Sequence, residues 1–170
     1  DTQAHHALVD GEYAKRRQAC ESACAKLHIS SLRDIEISAL VASRKLLSDE
    51  EFKRAHHAVS EMARTLEAVE VLKKKDFAAL GALITQSHIS LRDDYEVSCP
   101  ELNCAVDTAL AHGALGARMI GGGFGGSAIA LAEQGQIKAI KSAITDAFQS
   151  AQYAEPRFFT SLPAEGAKLI

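Results

Sequence analysis

From Glu12 onward, apolar and small residues return every three or four positions, and the first two-thirds of the chain reads as helix. Tyr13, the stem of Arg17, Cys20, Cys24 and Leu27 make the first such stripe. They predict a helix from Glu12 to about Leu27, with Asp10-Gly11 offering an N-cap and a turn. Residues 29–35 read as a connector, and a short helix is expected over residues 37–47. Ser48-Asp49-Glu50-Glu51 is a capping box, in which the serine oxygen takes a backbone N–H and the glutamate reaches back. The long helix it opens carries Phe52, Ala55, Val59, Met62, Leu66 and Val69 on one face. Lys73-Lys74-Lys75 closes it, cations facing the negative end of the helix dipole. Asp76 caps the next helix, with Phe77, Leu80, Ile84 and Leu91 directed inward, and the short turn between the two makes them antiparallel. Ser98 and Glu101 form a second capping box, with Pro100 in the first turn of a helix that runs to about Ala111.

The period then changes. Residues 116–131 read as strand, glycine turn, strand. Residues 136–150 return to helical spacing with Ile137, Ile140, Ile144 and Phe148 inward, and residues 157–162 and 166–170 are strand-like. The expectation is one α+β domain over residues 1–170, an antiparallel sheet packed with several helices.

Six of the eleven glycines fall between Gly116 and Gly126. Glycine serves where the backbone takes a positive φ or another group comes close. Successive N–H groups in such a loop can form an anion nest, which suits phosphate or a sugar held against it. A tight turn with close packing is the competing reading. The loop is neither common phosphate fingerprint: no Gly-Lys-Ser/Thr ends it, and a strand rather than a helix follows.

Composition narrows the class. Of 170 residues, 47% are hydrophobic and 24% charged, as in an ordinary globular domain, and the net charge of −3 makes no electrostatic case for a nucleic-acid or membrane partner. No apolar run is long enough to cross a bilayer and no signal peptide is visible. The chain begins at Asp1, as a fragment of something longer would. Cysteines 20, 24, 99 and 104 lack zinc-knuckle spacing, and a reduced, cytoplasmic setting is expected. Cys20 and Cys24, four apart, fit a buried helix face. Asp93-Asp94 is a carboxylate pair, but neighbouring side chains on a helix diverge, and a solvated or capping role competes. The doublets His5-His6 and His56-His57 diverge in the same way, which weakens a zinc site. The lysine run 73–75 is explained by the helix end. Tyr13 could sit in the core, where its hydroxyl would need a partner.

Two stretches, Ser-Leu-Arg-Asp-Asp-Tyr-Glu-Val-Ser-Cys-Pro-Glu-Leu at 90–102 and the glycine stretch 116–131 with Arg118-Met119-Ile120-Gly121-Gly122-Gly123-Phe124-Gly125-Gly126, resemble signatures of galactokinases in the GHMP kinase superfamily. Asp10-Gly11-Glu12-Tyr13 with Arg16-Arg17 and Cys20-Glu21 resembles a third. The stretches lie in family order, and the resemblance covers nearly the whole chain. It implies a GHMP kinase C-terminal domain, ferredoxin-like, whose N-terminal kinase half is missing here. It also implies a cytoplasmic sugar kinase that moves the γ-phosphoryl of ATP, with magnesium, to the 1-hydroxyl of galactose. The catalytic aspartate and magnesium ligands belong to the N-terminal domain of the same chain, so no catalytic or metal residue is carried over, and the fragment alone is expected to be inactive. An exposed interdomain face would allow a dimer of the fragment. Tyr13 matches the family's galactose-binding tyrosine. Gly121, Gly122, Gly123, Gly125 and Gly126 match the loop that closes near the sugar and the transferred phosphate of the ATP. Ile120 stands where threonine is usual, Ser127 where cysteine is common, and His5-His6 where some relatives have arginine. A kinase for another sugar such as N-acetylgalactosamine, a non-enzymatic galactose sensor and an interaction module are the alternative readings.

Overall fold

The computed structural model describes residues 1–4, 11–164 and 166. Asp10, His5 and His6, and all but Gly166 of the strand expected at 166–170, therefore lie outside the described residues. Six α-helices and one antiparallel strand pair are present among the described residues: α1 Glu12–Leu27, α2 Ile37–Ala42, α3 Asp49–Lys73, α4 Phe77–Asp93, α5 Pro100–Ala111, β1 Gly116–Ile120, β2 Ser127–Leu131 and α6 Ile137–Ser150. The segment expected to be helical over 37–47 divides into α2 and a short 3-10 turn, Arg44–Leu46.

The capping box at the head of α3 forms as expected. Ser48 Oγ accepts from the Glu51 N–H at 3.2 Å, and Glu51 Oε2 accepts from the Ser48 N–H at 2.7 Å. The same carboxylate accepts from Ser22 Oγ and Lys26 Nζ of α1, so one side chain both caps α3 and fastens α1 across it. These partners, Lys26 foremost, hold its pKa down at about 2. Asp76 caps α4 by accepting from the Ala79 N–H. The second box does not form. Pro100 drives Cys99 into an extended conformation, the helix starts one residue later than expected, and Ser98 Oγ donates to Asn103 Oδ1 instead.

α3 packs on α1 and α4, α4 packs on β1, and α5 lies between the strand pair and α6. β1 and β2 pair in register from Gly116 opposite Leu131 to Ile120 opposite Ser127. At the α4–β1 crossing Gly81 meets Gly116: a Cβ on Gly81 would lie 2.1 Å from the Leu115 carbonyl oxygen. Only paired glycines allow helix and strand to touch there. Phe148, Leu40, Leu102 and Met119 are among the fully buried side chains around which the apolar clusters form.

Three further expectations change. In α1 the buried positions are Arg16, Ala19 and Ala23, while Arg17 is exposed and pairs with Glu21. Alanines let α1 approach closely, and Arg16 is buried because its guanidinium is hydrogen-bonded throughout. On α3 the inward stripe ends near Met62; Leu66, Val69 and Leu72, with Phe77 of α4, face solvent in this chain. Residues 157–162 form no strand: Asp1 and Arg157 exchange one pair of hydrogen bonds, and Phe159 and Leu162 remain exposed.

Candidate functional site

The Tyr13 ring stands at the first turn of α1, half exposed rather than in the core. Its hydroxyl donates to the Gly122 carbonyl oxygen at 2.6 Å, and its ring meets Phe124 edge-on with centroids 5.7 Å apart. The tyrosine and the glycine loop named from the sequence thus lie against each other.

Between β1 and β2 the backbone takes positive φ at Gly121, Gly123, Phe124, Gly125 and Gly126. At Gly122 and Gly123 glycine is required by close approach as well. A Cβ on Gly122 would lie 2.1 Å from the Tyr13 hydroxyl, and one on Gly123 would lie 2.3 Å from the Val97 carbonyl oxygen. Two loop N–H groups are used inside the protein, Phe124 donating to Val97 O at 2.7 Å and Gly126 to Ala4 O. Those of Gly121, Gly122, Gly123 and Gly125 have no partner among the described residues. Thr2 clamps the far end of the loop, its N–H and its hydroxyl both donating to Gly126 O. Asp1, Ala4 and residues 120–127 line a cleft of about 520 Å³. Ile120 is exposed at its edge with no hydroxyl to offer.

Beneath the loop runs the segment 94–97, whose four carbonyl oxygens are all engaged. Arg54 Nη1 donates to Asp94 O at 2.5 Å, Arg16 Nε to Tyr95 O at 2.7 Å, Arg16 Nη2 to Glu96 O at 2.6 Å, and the Phe124 N–H to Val97 O. Arg16 and Arg54 are 4% and 5% exposed. The desolvation of two guanidiniums is offset by these bonds and by Glu12 and Glu96, which accept from Arg16 and Arg54. Glu12 is held at a pKa of about 2, by its bond from Lys15 first and from Arg16 second. Three separated stretches of sequence therefore meet around Arg16.

The other candidates find structural partners. Asp93 pairs with Arg92, while Asp94 accepts from Ser90 Oγ at 2.9 Å and lies 2.9 Å from His56 Nδ1. His57, buried and 3.0 Å from Ser90 Oγ, stacks on Tyr95; burial lowers its pKa to about 4. Cys20 and Cys24 are half-buried on α1, where burial raises both thiols. No group of three His, Cys, Asp or Glu among the described residues could hold a metal ion, and no described helix is long and apolar enough to cross a membrane. Sequence reasoning missed Arg16 and Arg54 as clamps. The readable signal for Arg16 was its place at position 16 of a 16-19-23 stripe of otherwise small residues.

Residues 68–150, from the last turns of α3 through α6, match the family described as GHMP kinases C terminal. They form a GHMP kinase C-terminal domain. Curated relatives extend the likeness over the full length of this chain. A galactokinase of Streptomyces coelicolor is 47% identical over 172 positions, covering all of this chain and 44% of that protein. The human galactokinase is 42% identical over 174 positions, covering all of this chain and 43% of its own length. The chain thus spans less than half the length of these relatives. Among solved structures, Lactococcus lactis galactokinase complexed with galactose superposes with a TM-score of 0.84 at 34% identity, over 89% of this chain and 41% of that one. The α+β GHMP kinase fold expected from the sequence is the fold observed.

Proposed function

We propose that this chain is the C-terminal part of a cytoplasmic galactokinase, and that its Tyr13 and glycine loop form the sugar- and phosphate-facing wall of the active site. The hydrogen bond from Tyr13 to Gly122 carries the reading, because it puts a hydroxyl suited to a sugar beside a loop suited to phosphate. Identity of 47% and 42% to galactokinases across the whole of this chain supports the substrate.

Four loop N–H groups without a partner among the described residues, in a backbone that side chains would obstruct at Gly122 and Gly123, fit phosphate oxygens. Gly121, Gly122, Gly123 and Gly125 would hold them; MgATP, when bound, supplies the transferable phosphoryl group. Phosphoryl transfer depends chiefly on positioning and charge stabilisation. In that division of labour, Tyr13 orients galactose, the loop neutralises phosphate charge and excludes water, and the N-terminal domain supplies the catalytic aspartate and the magnesium ligands. The 170 residues alone are then inactive.

The test is galactose-dependent ADP release by the full-length protein, beside its Tyr13→Phe variant and the isolated chain. Turnover by the full protein alone, with a raised KM for galactose in the variant, is the expected result. Galactose binding without turnover overturns the kinase reading in favour of a sensor, and turnover by the isolated chain overturns the division between halves.

A further inference from the structure

We propose that Arg16 is a positioning residue: it holds Tyr13 and the tip of the glycine loop in one frame by anchoring both to the backbone of residues 95–97. The kinetic arm of its test rests on the galactokinase reading; the spectroscopic arm does not.

The geometry around Arg16 is directional. Its guanidinium donates to Tyr95 O at 2.7 Å, to Glu96 O at 2.6 Å, and to the Glu12 carbonyl and carboxylate at 3.0 and 2.8 Å. It also lies over the Phe124 ring, 5.0 Å from its centroid. Each contact constrains one part of the site. Glu12 precedes Tyr13 in the first turn of α1. That turn begins at Gly11, which has a left-handed φ and no side-chain cap, so Arg16 supplies a restraint that the cap does not. The carbonyls of Tyr95 and Glu96 belong to a bend in which Glu96 itself has a positive φ. The next carbonyl, of Val97, receives the Phe124 N–H and touches the space that a Gly123 side chain would need. Phe124, at a φ of 60°, is covered on one side by Arg16 and edge-on by Tyr13. Among the described residues, Arg16 therefore touches the tyrosine's helix turn, the carbonyl platform and the loop tip together. A lysine has the charge and much of the length, but its single nitrogen cannot serve carbonyls lying in different directions.

The test uses the full-length protein labelled with 3-fluorotyrosine, with the Tyr13 resonance assigned by its loss in Tyr13→Phe. Arg16→Lys and Arg16→Met are expected to shift or broaden the Tyr13 signal while that of Tyr153, which packs on Phe148, stays put. Arg16→Lys is also expected to raise KM for galactose about tenfold at a saturating ATP concentration. A folded Arg16→Lys protein with a lower Tm, an unmoved Tyr13 signal and an unchanged KM has lost only stability, and overturns the proposal. Should both Arg16 variants fail to fold, Glu12→Gln decides, since it loosens Arg16 from the exposed helix end: a KM raised about threefold is expected, and an unchanged KM overturns the proposal. A wild-type protein without galactose-dependent turnover overturns the kinase reading alone, and the fluorine signals of the Arg16 and Glu12 variants then decide the role of Arg16.

Discussion

The hydroxyl of Tyr13 donates to the carbonyl oxygen of Gly122, 109 positions later in the chain, over 2.6 Å. The bond sits at an exposed edge, so its contribution to stability is about 1 kcal/mol or less. Its value is geometric: with the proton committed to Gly122, the phenol oxygen presents a lone pair outward. Tyr13→Phe is expected to melt within a few degrees of the parent. Steady-state kinetics of the full-length variant should show KM for galactose raised roughly tenfold, the scale of one lost hydrogen bond of about 1.4 kcal/mol, with kcat retained. A kcat that falls with KM unchanged would place the tyrosine's role in the transition state instead.

Two glycine substitutions separate site from scaffold. In Gly122→Ala the new Cβ meets the Tyr13 hydroxyl at 2.1 Å, but that ring end is free to swing aside. In Gly81→Ala the Cβ meets the Leu115 carbonyl at 2.1 Å, and main chain cannot swing. Gly81→Ala should cost about 3 kcal/mol, a Tm loss of roughly 10 °C. Gly122→Ala should leave Tm nearly unchanged and raise KM as Tyr13→Phe does. Thermal melts of the two variants side by side check the contrast.

The elements were largely legible because capping residues and apolar periods are side-chain signals. Ser48 and Glu51 form the box their spacing announced, and Ile140, Ile144 and Phe148 are buried as their period required. The misreadings have physical sources. Leu66, Val69 and Leu72 continue the apolar stripe of α3 past the point where the described residues bury it. Arg16 was passed over because a hydropathy pattern counts an arginine as surface, whereas a guanidinium with four acceptor contacts can be buried. At the site, glycine density and the family resemblance marked the loop and Tyr13. The acceptors that join them, the carbonyls of Gly122 and of residues 94–97, are backbone atoms with no side-chain signature, and only the fold reveals them.

Phe148 of α6 is 1% exposed, packs in the cluster with α5 and meets Tyr153 edge-on, whereas Phe159 is 83% exposed beyond α6. The same substitution should therefore read very differently at the two positions. Phe148→Ala is expected to cost about 3–5 kcal/mol, through lost burial and the cavity left behind. Phe159→Ala should stay within about 0.5 kcal/mol of the parent. Urea midpoints at constant m-value measure both.

Two buried histidines set the acid side of the stability profile. Burial lowers His57 from its ordinary 6.5 to about 4, and burial also lowers His88. Glu61, Arg64, Asp94 and Arg118 are the charged groups that act on His57, and they offset one another in sign. Below pH 6.5 the unfolded chain takes up protons that the folded chain refuses, so the histidines' contribution is whole above pH 6.5 and is lost as pH falls toward 4. The depressed carboxylates, Glu51 at about 2 with Glu61, Asp93 and Glu96 also lowered, withdraw their contribution only as pH falls below about 4.5. The window from pH 6.5 to 4.5 therefore belongs to the histidines. Urea unfolding at pH 7.5 and pH 5 should differ by on the order of 1 kcal/mol, allowing for solvent screening, with the lower pH less stable. His57→Gln keeps a polar partner for Ser90 but cannot take up the proton, and it should flatten part of that slope. A slope that His57→Gln leaves untouched would assign the window to His88, whose Nδ1 accepts from the Met119 N–H of β1.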